Sequence, residues 1–207
     1  MRNSICRSVL FASAGLMLVI GAWAQQNSAP PKHAPVSTDL AFTYTAERGE
    51  QAPGNCGCFW LQGFGVDAGL TFWKGLAIAA SFNSGHASNI APGVNLSKVQ
   101  FAAGPRYTYT AWTGRDAAAN RRLQLFGQGL FGGVHAYNGA FPGSSGVVTS
   151  AGSFDLEAGG GLNLFFSRAL GVRLLEADYV RTSLPNNASN TQNDMRLAFG
   201  ITWHIGH

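Results

Sequence analysis

Eight ionisable side chains share one setting. Glu47, Asp67, Arg106, Asp155, Glu157, Glu176, Asp178 and Arg196 each alternate with apolar residues, which places them on the polar face of a two-residue repeat. Lys98 joins them near a strand end. Charges enclosed together have to pair or hold water; a gated ion path or a proton site is the functional alternative. Acids outnumber bases in this set, which leaves carboxylates over for a proton or a cation. A second group is "NCGCFW". Cys56 and Cys58 are candidates for a local disulfide, its small ring eased by Gly57, or for free thiols or a metal site. No CxxC partner or nearby His pair completes a zinc set.

The third group is "GHASN", where His86 could act as base for a Ser88 nucleophile and Asn89 follows. The residues after it offer Lys98 and no nearby carboxylate, so coincidence in a Ser/Asn-rich segment is the plainer account. His135, His204 and His207 are scattered and suggest no ligand set. The glycine stretches "GFGVDAG" and "GQGLFGG" lack GxxxxGK[ST] and open no helix, so they read as close backbone packing rather than phosphate cradles. No catalytic residue, cofactor or metal is expected, and the chain reads as a non-enzyme.

Composition narrows the setting of these groups. Only 12% of the 207 residues are charged, about half the share of an ordinary soluble domain. Of the formal net charge of +4, two units belong to Arg2 and Arg7, and no Lys/Arg cluster follows beyond Arg121-Arg122, so nucleic acid is not an expected partner. Those two arginines open an export signal over residues 1–24: a basic start, an apolar run from Val9 to Gly21, and Ala22-Trp23-Ala24 for cleavage after Ala24. Cys6 lies too early to be a lipid-anchor cysteine. Residues 25–37 form a polar, Pro-rich lead-in, and residues 38–207 form one domain.

That domain alternates almost throughout. Strand one sets Leu40, Phe42, Tyr44 and Ala46 against Ala41, Thr43, Thr45 and Glu47. Strand two sets Phe64, Val66, Ala68, Leu70 and Phe72 against Gly63, Gly65, Asp67, Gly69 and Thr71. Strand three carries Leu76, Ile78, Ala80 and Phe82, and strand four Val99, Phe101, Ala103, Pro105, Tyr107 and Tyr109. Strand five, about 123–137, is Gly-rich and its facing is open. Strand six sets Phe154, Leu156, Ala158, Leu162 and Leu164 against Asp155, Glu157 and Asn163; in strand seven Leu175, Ala177 and Tyr179 oppose Glu176 and Asp178. Strand eight carries Leu197, Phe199, Ile201, Trp203 and Ile205. The connections at 48–58, 84–95, 139–152 and 183–192 read as long loops, those at 73–75 and 167–169 as tight turns, and "TGRDAAANRR" as a longer link.

A soluble barrel would need many charges on its outer face. The polar face here is mostly Gly, Ala, Ser and Thr, which suits the narrow lumen of an eight-stranded barrel. The apolar face ends in aromatics, among them Tyr44, Phe72, Trp73, Tyr107, Tyr109, Phe166, Tyr179 and Trp203, in keeping with interfacial girdles. The apolar face therefore meets lipid, where every backbone group must pair and the sheet must close. Pro105 lacks a ladder donor, so a bulge or an imperfect hydrogen bond is expected there.

With these features the chain resembles the small OmpA/OmpX-type outer-membrane β-barrels, porin-like in fold, over residues 38–207. The fold class implied is an all-β, eight-stranded antiparallel up-and-down transmembrane barrel. The family's last strand carries an assembly signal, polar-x-Gly-x-x-hydrophobic-x-aromatic. Gly200 and Trp203 take its glycine and hydrophobic positions and Ile205 its last one, apolar but not aromatic; Ala198 stands where a polar residue is usual. The resemblance implies insertion by the barrel-assembly machinery, contact with outer-membrane lipid and lipopolysaccharide, surface-exposed long loops and periplasmic termini. Separately, His-x-Ser-Asn is similar to a motif of outer-membrane lipid A deacylases. The function expected is structural, with four surface loops available for adhesion or an unknown ligand. A narrow channel or carrier of small apolar molecules is the alternative, and a lipid-modifying enzyme the next.

Overall fold

The structure is a computed structural model, and it describes residues 36–50, 58–114, 121–144, 146–186 and 190–206. The export signal, its cleavage point after Ala24 and most of the Pro-rich lead-in lie outside the described residues, as do Cys56 and His207. The strands are β1 (Ser37–Glu50), β2 (Cys58–Trp73), β3 (Leu76–Ala91) and β4 (Val94–Thr113), followed by β5 (Arg122–Gly143), β6 (Gly146–Phe165), β7 (Leu170–Thr182) and β8 (Gln192–Ile205). Each pairs antiparallel with its neighbours in sequence, and β1 closes on β8 from Thr38↔Ile205 to Arg48↔Met195. The result is an up-and-down barrel of eight strands.

Alternation sorts the side chains as the sequence implies. Phe42, Phe64, Ile78, Phe101, Tyr107, Phe199, Ile201 and Trp203 are exposed on the outer wall, while Thr43, Asp67, Ser81, Gln100, Arg106, Asp178 and Arg196 are buried inside. The eight girdle aromatics all point outward. Tyr44 is the exception in height: it sits midway along β1, paired with Phe199 at 5.4 Å between ring centroids, rather than at a strand end. β5 now has a facing. Gln124, Phe126, Gln128, Leu130, Val134 and Ala136 turn inward, and Leu125, Phe131 and Tyr137 outward.

The connections differ from expectation at two places. Residues 84–95 are not a loop: β3 and β4 continue to Ala91↔Val94, joined by Pro92-Gly93. Pro presets the first turn position and Gly93, at φ 74°, takes the left-handed one. Residues 139–143 and 146–152 are likewise strand, with β5 and β6 paired out to Gly143↔Gly146. Small, weakly β-prone residues form strand here because the neighbouring strand holds them, a context that local composition does not report. The tight turn at Lys74-Gly75 is as expected, with φ of 41° and 88°, both positive as a two-residue hairpin of this hand requires.

Two local irregularities matter for the interior. At Pro105 the β4–β5 ladder skips from Ala103↔Phe131 to Arg106↔Gln128 without a change of register, so the missing donor interrupts the pairing and makes no bulge. In β7 the register with β8 shifts between Arg173 and Glu176. Leu174 and Leu175 both point outward, and this bulge carries Arg173 to the inner face.

Candidate functional site: the charged lumen

All eight predicted lumen charges are buried inside the barrel, and Lys98, Arg173 and Asp194 join them. In the half nearer the short turns, Arg106 grips Asp67 with two parallel hydrogen bonds, Nη1 to Oδ1 at 2.7 Å and Nη2 to Oδ2 at 2.5 Å. Arg173 donates to the same Asp67 Oδ1 at 3.1 Å, to Glu176 Oε2 at 2.6 Å and to Asn163 Oδ1 at 3.1 Å. The two guanidinium groups lie 4.8 and 4.6 Å from the centre of the Phe126 ring. Fork-shaped pairing and ring stacking are what distinguish arginine from lysine in such a space. Gln128 accepts from Arg106 Nε at 3.0 Å and donates to Glu176 at 2.8 Å and Asp178 at 3.2 Å, tying this half to the next.

In the half nearer the longer connections, Arg196 makes the matching fork to Glu157, at 3.0 and 2.5 Å. It also reaches Gln100 Oε1 at 3.2 Å and Asp178 at 3.4 Å. Ser81 Oγ donates to Glu157 at 3.4 Å. Lys98 pairs closely with Glu47 and with Asp194 at 3.1 Å. Asp155 stands apart: it is fully buried, neither carboxylate oxygen accepts from a described donor, and it lies against another carboxylate, Glu157.

Both ends of the lumen are stoppered. At the turn end Phe165 is fully buried, under the Arg122 guanidinium at 4.1 Å and edge-on to His204, whose Nδ1 is 2.6 Å from Asp39. At the loop end Val134, Ala136 and Leu184 form an apolar cluster with Leu96, Phe141 and Ala151 packed on it. Leu184 is fixed there by Gln192, which accepts from Leu184 N at 2.9 Å and donates to its carbonyl at 2.8 Å. A cleft between the two ends, lined by Thr43, Asp67, Ser81, Asn83, Glu176 and Arg196 among others, has room on the order of one water molecule.

Sequence reasoning missed Arg173, Asp194 and Leu184, and, with the facing of strand five open, Gln124 and Gln128. Arg173 escapes a strict two-residue repeat because Leu174 and Leu175 break it, and that doublet is the signal that marks the bulge. Asp194 continues the inner set Arg196, Ala198 and Thr202 by one step, and would emerge from starting the last strand earlier. Leu184 carries no local signal, being a single apolar residue in a polar connection.

Outside the lumen, His86 Nε2 lies 3.1 Å from Ser88 Oγ, and its Nδ1 lies 2.9 Å from Ser97 Oγ. Asn138 donates to that Ser97 hydroxyl at 3.4 Å. His86 and Ser88 are exposed near the loop-side rim. Cys58 is exposed and forms no disulfide with a described residue; its Sγ accepts from Arg48 Nη2 at 3.2 Å. Of the C-terminal signal, Trp203 and Ile205 face outward. Gly200 lies inside the β1–β8 seam, where a Cβ would overlap the Phe42 carbonyl.

Among solved structures the chain is similar to Neisserial surface protein A, with a TM-score of 0.55 at 12% identity over 81% of this chain and 96% of that one. It has the fold of a small outer-membrane β-barrel. A further likeness is to Ail, the attachment invasion locus protein of Yersinia pestis, in complex with the heparin analogue sucrose octasulfate. It has a TM-score of 0.49 at 15% identity over 83% and 98% of the chains. The N-terminal β-barrel domain of Pseudomonas aeruginosa OprF gives 0.42 at 12% identity over 81% and 97%. No family model matches the sequence, and no curated protein does.

Proposed function

We propose that this chain is a non-enzymatic integral protein of the outer membrane of a Gram-negative-type bacterium. It displays its longer connections at the cell surface for adhesion or partner binding and keeps its termini periplasmic. Its lipid-facing wall contacts outer-membrane lipid and lipopolysaccharide, and the barrel-assembly machinery inserts it through the last strand. One observation carries this reading: the lumen is filled and capped while the β5–β6 hairpin runs past the rim. β6 pairs with β7 only from Asp155 onward, so the edge of residues 146–154 has no strand neighbour among the described residues. An open edge with Val147 and Val148 exposed is a template for another chain.

The test is attachment of cells carrying the full chain, compared with cells in which residues 140–149 are replaced by a short turn. Loss of attachment with unchanged heat-modifiable gel mobility supports display; equal attachment in both refutes a role for the hairpin. Planar-bilayer recordings address transport, since reproducible conductance by the folded protein would sink the filled-lumen reading.

The His86–Ser88 contact favours a second reading, hydrolysis of a lipid ester at the rim with His86 as base. Fluorophosphonate labelling that disappears in Ser88→Ala, together with an altered lipid A mass profile, would establish it.

A further inference from the structure

Among the described residues the interior holds seven buried carboxylates, Glu47, Asp67, Asp155, Glu157, Glu176, Asp178 and Asp194, against four buried cations, Lys98, Arg106, Arg173 and Arg196. Six of the seven accept from a cation: Glu47 and Asp194 from Lys98, Asp67 and Glu176 from Arg173, Glu157 and Asp178 from Arg196. Asp155 accepts from no described donor, and its side chain lies within hydrogen-bonding range of the Glu157 carboxylate, which as an ion has no proton to donate. The charges acting on it are Glu157, two residues along the same inner face of β6, then Lys98 from β4 and Arg196 from β8. Both of these cations are already shared between two carboxylates each. Glu47 on β1 and Asp194 on β8 hold Lys98, and Asp178 on β7 shares Arg196. The β5 residue opposite Asp155 is Gly132 and the β7 residue is Thr182, neither of which ionises.

A second orphan lies beside this group. Gln100 Nε2 is buried without a partner, while its Oε1 shares Arg196 Nη1 with Glu157. Ordered water can satisfy the hydrogen bonds of both orphans. Water does nothing for the charge, and surplus negative charge in a desolvated interior is costly unless it is neutralised.

We propose that the loop-side half of the lumen binds a monovalent cation, a proton or an alkali-metal ion, against the Asp155 carboxylate beside Glu157. A single positive charge matches one unpaired carboxylate; no three His, Cys, Asp or Glu side chains among the described residues converge to hold a divalent metal, and an alkali-metal ion would complete its shell with water and neutral oxygens.

The experiment uses the full chain folded in lipid vesicles, as wild type and as the near-isosteric, neutral Asp155→Asn. Two readouts separate the two sources of charge. A proton gives a protonated-carboxyl C=O stretch in the infrared spectrum at neutral pH that Asp155→Asn removes. An alkali ion gives an unfolding midpoint that falls when NaCl or KCl is exchanged for choline chloride at constant ionic strength, a dependence that Asp155→Asn abolishes. The proposal is overturned if the wild type shows neither the band nor the ion dependence, or if Asp155→Asn leaves them unchanged. Should Asp155→Asn fail to fold, Asp155→Ser replaces it, and the wild-type ion and infrared series is decisive without a variant. Neither readout depends on surface attachment, so this inference and the display function fail separately.

Discussion

The two halves of the lumen solve the same electrostatic problem differently. Towards the short turns, Arg106 and Arg173 face Asp67 and Glu176, two charges of each sign, with both guanidinium groups over the Phe126 ring. Towards the longer connections, Lys98 and Arg196 face Glu47, Asp194, Glu157, Asp178 and Asp155. The first half is balanced and closed by aromatic packing. Among the described residues the second carries all of the surplus acid, and it alone contains a buried carboxylate with no donor. Filling a barrel with side chains therefore does not by itself neutralise it. One half acts as a plug, and the other is left able to take up charge.

The comparison is broken most severely at Arg196. Arg196→Met leaves Lys98 alone with five carboxylates and strips Glu157 of its fork. Removing one partner of a buried pair costs about 3–5 kcal/mol, and the surplus here puts the expected loss at the upper end. Urea unfolding in detergent micelles, followed by heat-modifiable gel mobility, measures it; a loss under about 1 kcal/mol would show that this arginine is not needed for balance. Arg173→Met should cost less than Arg196→Met by the same assay. Asp67 keeps its fork to Arg106, and Glu176 keeps Gln128. If the two variants lose equal stability, the distinction between a balanced and an acidic half has no energetic content.

A third prediction leaves the charges alone and strains the wall around them. Gly200→Val places a branched side chain against the Phe42 carbonyl where β8 meets β1. Forced overpacking of this kind costs about 1–3 kcal/mol, and here it acts on the seam that closes the barrel. Slower appearance of the heat-modifiable species during folding, at unchanged conductance, is the expected result. Normal folding would mean that the seam yields without cost and that Gly200 matters only within the C-terminal signal.

Most of the wall was legible because lipid outside and a narrow lumen inside force one side-chain class onto each face. The stripe from Leu197 to Ile205 and the inner series Ala41, Thr43, Thr45 and Glu47 follow from spacing alone. What spacing could not carry was anything that breaks phase or depends on a distant strand. Arg173 reaches the lumen through a bulge, and Leu184 reaches the loop-end cap through a pair of hydrogen bonds to Gln192. The strand segments at 139–143 and 146–152 form because β5 and β6 support one another, although most of their residues are small and weakly β-prone. Charge pairing was foreseen as a class. The pairing list, and with it the isolation of Asp155, needed three dimensions.

The smallest expected effect on stability lies above the rim, and it sets hairpin against barrel. Below Asp155, β6 is paired on both sides; above it, residues 146–154 pair only with β5. Val147 is 76% exposed, so it contributes little to packing. Val147→Lys should therefore change the unfolding midpoint by no more than the equivalent of about 0.5 kcal/mol, as for surface positions in general. The same lysine, placed where an incoming strand would align, should weaken attachment, because charge on an edge discourages pairing. A variant that loses stability without losing attachment would show that the hairpin supports the barrel rather than extending its reach.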